Sequence, residues 1–171
     1  IKVVDKRVIT PAKPVVVEGA LTPGDSIFLH NPTWNRFVMA SLPEARSSPV
    51  HGPDLIRYDW LSEKWTVVDG GGGTIALHNK FHNRFLRMNG AIMDLSGTST
   101  TLPSDWSYER FKVVDIGDGH IGLHNAVHNR FVRMNNEKMD CTGLQNLDTF
   151  NPAWTWERFK VVKDCPQITC A

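Results

Sequence analysis

The sequence predicts an all-β fold built from three copies of one unit, and three observations support this prediction. First, the tripeptide Leu-His-Asn occurs three times, and each time Asn-Arg-Phe follows after three variable residues. Second, the histidines of this motif, His30, His78 and His124, are separated by 48 and 46 residues, which indicates an internal repeat. Third, the segments inside each unit are rich in β-branched and aromatic residues, with Gly, Asn and Asp clusters between them.

The end of each unit gives the same period independently. An aromatic residue followed by a β-branched run closes every unit, and these runs predict the last strand of each unit. The closing residues Trp65, Phe111 and Phe159 are 46 and 48 residues apart. Two landmarks with one period define units of about 47 residues. The units span residues 24–69, 73–115 and 119–163.

The strands and turns inside one unit can be assigned in order. Residues 75–77 alternate large and small side chains, as a half-buried strand does. The segment from Asn79 to Asn83 is short enough only for a hairpin turn, and Asn83 is expected to take the left-handed backbone at its exit. Asn35 and Asn129 are its equivalents. Four strands in each of three units predict a β-trefoil, with a six-stranded barrel capped by three hairpins. A propeller is excluded because propellers typically need four or more blades.

Two segments lie outside the repeat. Residues 1–23 are predicted to form an extended N-terminal arm, since they contain three prolines and the run Val15-Val-Val17. This arm is expected to lie along the barrel or to reach a partner. Residues 164–171 are predicted to form a C-terminal tail. The first residue is Ile1 and not Met, which indicates a processed chain, organellar or secreted.

The three cysteines leave two alternatives open. Cys165 and Cys170 are close enough in sequence to form a small disulfide loop in an oxidising compartment, which would leave Cys141 free. The alternative is three unpaired thiols. Neither the cysteine nor the histidine spacing matches a zinc site, so no metal or cofactor is expected.

Composition and charge exclude several classes of protein. The chain has 171 residues, of which 41% are hydrophobic, and this content argues against disorder. Nineteen basic and 18 acidic residues give a net charge of +1, which excludes a broadly basic surface for nucleic acid. No apolar run approaches the roughly 18 residues of a membrane helix. There is no nucleophile elbow, phosphate loop or HExxH motif, so we predict that the protein is not an enzyme.

The repeated motif resembles that of the fascin-like and hisactophilin-like trefoils. Their units read as a hydrophobic strand, a tight turn, and then Gly, Arg or Lys, an aromatic residue and Leu. Here the corresponding pieces are residues 75–77, the turn to Asn83, and residues 84–86, with Asn in place of the turn Gly. The resemblance covers most of residues 24–163. It implies a β-trefoil fold and, as one alternative, actin binding.

Two further resemblances carry less functional information. Residues 84–88, Arg-Phe-Leu-Arg-Met, are similar to the strand ending of arabinofuranose-binding trefoil modules, with Met in place of their His. This similarity implies sugar binding. The tandem Leu-His-Asn and His-Asn-Arg-Phe pattern resembles that of uncharacterised repeat proteins from single-celled algae, to which no activity is attached.

Residues shared by all units are assigned to folding, and residues that differ are assigned to binding. The His and Asn side chains of the Leu-His-Asn motif are expected to hydrogen-bond the turn backbone. A symmetric ion-pair network is predicted for Arg36, Arg84 and Arg130 with Glu63, Glu109 and Glu157. Two aromatic residues at hairpin turns are candidate contacts with a partner or glycan, Trp34 and Phe81. The other candidate contacts are Arg87, Arg133, His82 and His128.

These residues favour a non-enzymatic binding or scaffolding module. The first hypothesis is a protein-interacting accessory subunit of a larger assembly, since the repeat is wholly structural and the arm is free to dock. Through the algal resemblance, an organellar complex such as a photosystem is one such assembly. The first alternative is a carbohydrate-binding, lectin-like module, and the second is an actin-binding, fascin-like protein.

Overall fold

The computed structural model describes residues 15–16, 21–54, 56–57 and 59–164. Cys165, Cys170 and the rest of the predicted tail after Asp164 lie outside the described residues, as does most of the predicted arm 1–23. Within these ranges, no helix is long and apolar enough to cross a membrane.

Thirteen strands are present in the described residues, and twelve of them fall into three sets of four. The thirteenth, β1, comprises Val15–Val16. The first unit contains β2 (Ser26–Asn31), β3 (Arg36–Ser41), β4 (Glu44–Ser47) and β5 (Trp65–Gly71). The second contains β6 (Thr74–Asn79), β7 (Arg84–Asn89), β8 (Ile92–Leu95) and β9 (Lys112–Gly117). The third contains β10 (His120–Asn125), β11 (Arg130–Asn135), β12 (Lys138–Cys141) and β13 (Phe159–Lys163), with the short 3-10 helix Leu147–Thr149 before β13.

The outer strands of the three units form a closed barrel. Strand β2 pairs with β5, β5 with β6, β9 with β10, β10 with β13, and β13 returns to β2. The ring is closed between β6 and β9 by Ile75 and Phe111, whose amides and carbonyls exchange hydrogen bonds of 2.9 and 2.8 Å. All neighbours in the ring are antiparallel. The ring therefore has six strands and no free edge.

The inner strands of the three units form hairpins that meet at one end of the barrel. Strands β3 and β4, β7 and β8, and β11 and β12 form the hairpins, and β4, β8 and β12 pair with one another. A six-stranded barrel closed by three hairpins is a β-trefoil, so the predicted fold is confirmed.

The core is built from layers of equivalent residues. Each layer takes one side chain from each unit, and all of these side chains are buried. The layers are Ile27, Ile75 and Ile121; Leu29, Leu77 and Leu123; Trp65, Phe111 and Phe159; and Val38, Leu86 and Val132. The closing aromatic residues noted in the sequence thus lie in the centre of the barrel, where burial of a large ring stabilises the fold most.

The hairpin turns have the backbone that the sequence predicts. Asn35, Asn83 and Asn129 have φ values of 54°, 56° and 52°, in the left-handed region where Asn is tolerated better than most residues. The short strand β1 pairs antiparallel with β13, with Val15 opposite Lys163. The described strand of the predicted arm therefore lies beside the last strand of the barrel.

Candidate functional site

The histidine of each Leu-His-Asn motif holds its own hairpin turn together. Nε2 of His78 donates to Oδ1 of Asn83 at 3.0 Å and to the carbonyl of Ser99 at 2.9 Å. His30 and His124 make the same two contacts in their units. Burial is the main cause that lowers the pKa of His30, which favours the neutral ring. These histidines are committed to the turn, as expected, and not to a ligand.

The asparagine of the same motif joins each unit to its neighbour. Nδ2 of the fully buried Asn79 donates to three carbonyls of the preceding closing loop, those of Leu61, Ser62 and Lys64, at 3.0 to 3.1 Å. Its Oδ1 accepts from the amide of His82 at 2.9 Å. Asn125 does the same with the second unit's closing loop, and Asn31 with that of the third. The sequence shows this Asn in every unit, but its long-range partners are visible only in the structure.

The predicted ion-pair network of Arg36, Arg84 and Arg130 with Glu63, Glu109 and Glu157 is wrong. The guanidinium of Arg84 donates to the carbonyl of Ser96 at 2.9 Å, and the other two arginines contact the equivalent carbonyls of Ser48 and Thr142. A backbone acceptor replaces the carboxylate because each arginine lies beside the strand end that follows its hairpin. These arginines therefore support the hairpins.

The ion pairs are made by the arginines predicted as partner contacts. Arg87 forms a bidentate pair with Asp94 at 2.7 and 2.8 Å, and Arg133 forms one with Asp140 at 2.8 and 3.0 Å. The guanidinium of Arg133 also lies 5.8 Å from the ring centre of Trp156. Both arginines are about 30% exposed, so one face of each remains available at the surface.

The equivalent residues Trp34, His82 and His128 contact the closing loop of the neighbouring unit. The indole of Trp34 packs on Trp156, with ring centres 5.2 Å apart, and its Nε1 donates to the carbonyl of Met134. The ring of His128 lies 4.4 Å from that of Tyr108, and Nε2 of His82 is 3.2 Å from Oγ of Ser62. Trp34 is therefore turned inward against the core and is half-buried.

Phe81 is oriented in the opposite way from Trp34. It lies at the tip of the β6–β7 turn, and 62% of it is exposed. The rings of Phe81 and His82 pack edge-on, with ring centres 4.9 Å apart. A groove of about 380 Å³ runs beside its ring. The groove is lined by Ser26, Leu61, Lys64, Thr66, Lys80, Phe81 and Asp164. The structure thus separates the two aromatic candidates, and it leaves the ring of Phe81 exposed beside a groove lined by both charged and apolar groups.

Two oppositely charged residues line the groove, Lys64 just before β5 and Asp164 just after β13. Nζ of Lys64 lies 3.0 Å from Oδ2 of Asp164. The amide of Asp164 donates to the carbonyl of Ser26, which fixes the carboxylate at the junction of β13 and β2. An ammonium and a carboxylate side by side offer both donors and acceptors to a ligand. The sequence could not indicate this pair, because its members are 100 residues apart.

The residues equivalent to Lys64 make different contacts in the other two units. Arg110 stands where Lys64 stands in the first unit, and it donates to the carbonyls of Gly70 at 2.8 Å and Pro103 at 3.0 Å. Arg158 stands there in the third unit and donates to the carbonyl of Pro152. The two arginine side chains thus bind backbone carbonyls, whereas Lys64 contacts the carboxylate of Asp164. The three equivalent positions therefore differ in their contacts.

Three buried glutamates are the other unusual charged groups. Burial is the main cause that raises the pKa of Glu63, Glu109 and Glu157. Arg87 opposes this effect at Glu109 and Arg133 does so at Glu157.

Among the described residues, no group of three or more His, Cys, Asp or Glu side chains could hold a metal ion.

The sequence matches no protein-family model, and no curated protein matches it. Among solved structures, it is similar to SeviL bound to asialo-GM1 saccharide, with 14% identity and a TM-score of 0.62 over 83% of this chain and 99% of that chain. It is also similar to the designed 3-fold symmetric protein ThreeFoil, with 12% identity and a TM-score of 0.59 over 82% of this chain and 99% of that chain.

A third similar structure is the GH54 α-L-arabinofuranosidase, with 14% identity and a TM-score of 0.61. The match covers 85% of this chain but only 32% of the arabinofuranosidase. At these identities the similarities establish the β-trefoil fold.

Proposed function

We propose that this β-trefoil is a carbohydrate-binding module without catalytic activity, and that it binds a saccharide in the groove beside Phe81. The observation that carries the proposal is the open phenyl ring of Phe81, 62% exposed, next to the groove residues Lys64 and Asp164. Exposure of a large apolar ring to water is unfavourable in free energy, and a ligand that covers the ring removes this cost.

The chemistry of the groove suits a sugar ring. The apolar face of a pyranose presents C–H groups that can lie on the phenyl ring of Phe81, where the negative face of the π system attracts them. The hydroxyl groups at the rim of the same sugar both donate and accept. The ammonium of Lys64 and the carboxylate of Asp164 supply the complementary pair at 3.0 Å from each other.

The similarity to solved trefoil structures supports carbohydrate binding. SeviL, which is similar over nearly its whole length, was solved with a bound saccharide. The match to the arabinofuranosidase covers a third of that enzyme, so its hydrolytic activity is not carried over. The proposal that the chain has no catalytic activity rests on its sequence, which contains no nucleophile elbow, phosphate loop or HExxH motif.

The test is binding to a glycan array, followed by titration calorimetry with the best oligosaccharide. We expect one site per chain, because the two equivalent turns have Thr33 and Val127 in place of the aromatic ring of Phe81. Phe81→Ala should weaken binding at least tenfold, which is about 1.4 kcal/mol.

The matched control is Val127→Ala. Val127 occupies the same turn position in the third unit and is similarly exposed, at 56%. This variant should bind like the parent chain. A bound oligosaccharide whose affinity is unaffected by Phe81→Ala would contradict the assignment of the groove, and an array without any signal would contradict carbohydrate binding.

A protein partner is the second candidate, which includes the accessory-subunit role in a larger assembly and the actin-binding alternative. Its specific support is Leu144, 70% exposed in the loop after β12, and Val127 in the β10–β11 turn. Exposed apolar side chains of this kind anchor protein interfaces. A partner that co-purifies with the parent chain and with Phe81→Ala, but is lost with Leu144→Ser, would support this role. A partner retained by both variants would contradict the assignment of Leu144 to the interface, and a parent chain that purifies without any partner would contradict the role.

A further inference from the structure

We propose that the saccharide bound in the groove beside Phe81 is anionic, with a carboxylate or sulfate group on the sugar that stacks on the phenyl ring. This inference rests on the carbohydrate-binding function proposed above. It concerns the charge of the ligand, which the aromatic ring alone does not determine.

The charges lining the groove do not cancel. Lys64 and Asp164 neutralise each other through their 3.0 Å contact. Lys80 also lines the groove and is exposed, and no ion pair joins it to a carboxylate among the described residues. An ammonium that is not already paired attracts an anion more strongly than one that must first break a salt bridge. The groove therefore has one positive charge left for a ligand.

Lys80 is placed to act together with Phe81. The two residues are consecutive in the β6–β7 turn, and both line the groove. A sugar that stacks on the phenyl ring carries its ring substituents around its rim, within reach of a flexible lysine side chain from the adjacent position. The carboxylate of a uronic acid and a sulfate ester are the anionic substituents that such a rim presents. Both accept hydrogen bonds from an ammonium.

The same combination is missing from the two equivalent turns. Pro32 and Ala126 stand at the position of Lys80, and Thr33 and Val127 stand at the position of Phe81. These turns carry neither an aromatic ring nor a cation at the matching positions. Because repeat proteins keep in every unit what folding requires, a ring and a cation that occur together in one unit are better explained by binding than by folding.

The test compares acidic oligosaccharides with neutral partners of the same length. The probes are oligogalacturonate against its methyl ester, and a sulfated galacto-oligosaccharide against its desulfated form. Calorimetry with the full chain should show at least tenfold tighter binding of the acidic member of one pair. The pair that shows the difference distinguishes the carboxylate from the sulfate. Raising sodium chloride from about 0.05 to 0.5 M should reduce this advantage, because an exposed pair is screened by salt.

The variants separate this inference from the proposed function. Lys80→Gln should weaken binding of the acidic probe about tenfold and leave its neutral partner unchanged, whereas Phe81→Ala should weaken both. Lys138→Gln is the matched control, since Lys138 is exposed on the β12 hairpin at the cap. Equal binding of acidic and neutral probes, or an unchanged affinity in Lys80→Gln, would overturn the anionic ligand and leave the carbohydrate-binding function standing. Absence of binding to both members of both pairs would overturn the function and this inference together.

Discussion

The ring of Phe150 lies against Gly122, with its Cε2 atom 2.8 Å from the point where a Cβ on this glycine would stand. The equivalent position in the first unit is Phe28, which is buried and packs edge-on against Phe37. Phe150 packs in the same way against Phe131, with ring centres 5.2 Å apart. In the third unit, Phe150 of the closing loop therefore takes the place that Phe28 of strand β2 has in the first unit.

Gly122→Ala should therefore destabilise the fold. The new methyl group would overlap the ring of Phe150, and such overpacking costs about 1 to 3 kcal/mol. The measurement is the free energy of unfolding from denaturant titration. Gly143→Ala is the control, because nothing lies within 4 Å of a Cβ at that position, and it should change stability by less than about 0.5 kcal/mol. Equal stabilities of the two variants would show that the loop yields without cost.

Asn79→Ala should destabilise the protein and also disturb the groove. Removing the side chain leaves the carbonyls of Leu61, Ser62 and Lys64 without their common donor in a buried place, with a loss of about 2 to 4 kcal/mol. Leu61 and Lys64 both line the groove, so any saccharide binding should weaken with it. Asn89→Ala is the control, since Asn89 is exposed and its side chain hydrogen-bonds Asp94 at the surface. A loss of stability no larger than that of the control would contradict the role given to Asn79.

Glu63→Gln should stabilise the protein increasingly as the pH rises. Burial raises the pKa of Glu63 above its ordinary 4.5, so the native state binds more protons than the unfolded state between 4.5 and the raised value. The stability that this carboxyl contributes is complete below pH 4.5 and is lost as the pH rises through the native pKa. The first unit has Met39 where Arg87 and Arg133 lie near the other two glutamates, so Glu63 has less compensation.

The measurement for Glu63→Gln is the difference in unfolding free energy between variant and parent from pH 4 to 8. Taking the difference cancels the opposite contribution of His30, whose pKa is lowered by burial. The control is Glu137→Gln at an exposed turn, which removes a carboxylate from the surface and not from a buried place. A constant difference for Glu63→Gln would show that its pKa is the same in the folded and unfolded chain.

Cys141 should resist alkylation in the folded protein. It is buried, and burial raises the pKa of its thiol to about 12, so almost no thiolate exists at pH 8. Iodoacetamide treatment followed by peptide mass spectrometry should leave Cys141 unmodified in the native protein and modify it fully after denaturation. Rapid modification under native conditions would mean that the β11–β12 hairpin opens readily.

Much of the fold, and little of the groove, could be predicted from the sequence. The trefoil follows from the spacing of His30, His78 and His124, because residues needed to fold a repeat recur in each copy. Lys64 and Asp164 are unremarkable in sequence and become a pair only when the last strand closes the barrel. The sequence does indicate Phe81 as a candidate contact, because the equivalent positions of the other two units have no aromatic residue. The arginine network was wrong because sequence spacing does not distinguish a carboxylate from a backbone carbonyl as the acceptor.

The three hydrogen bonds of Asn31 join the start of the barrel to its end. Its carbonyl partners are Thr155, Trp156 and Arg158, up to 127 residues later in the chain. These bonds can form only when nearly the whole domain is present, and contacts across such long loops form slowly during folding. Strand β2 pairs with β5 of its own unit and with β13. In a chain that stops before β13, the side of β2 that β13 covers is therefore an unpaired strand edge, which favours aggregation of incomplete chains.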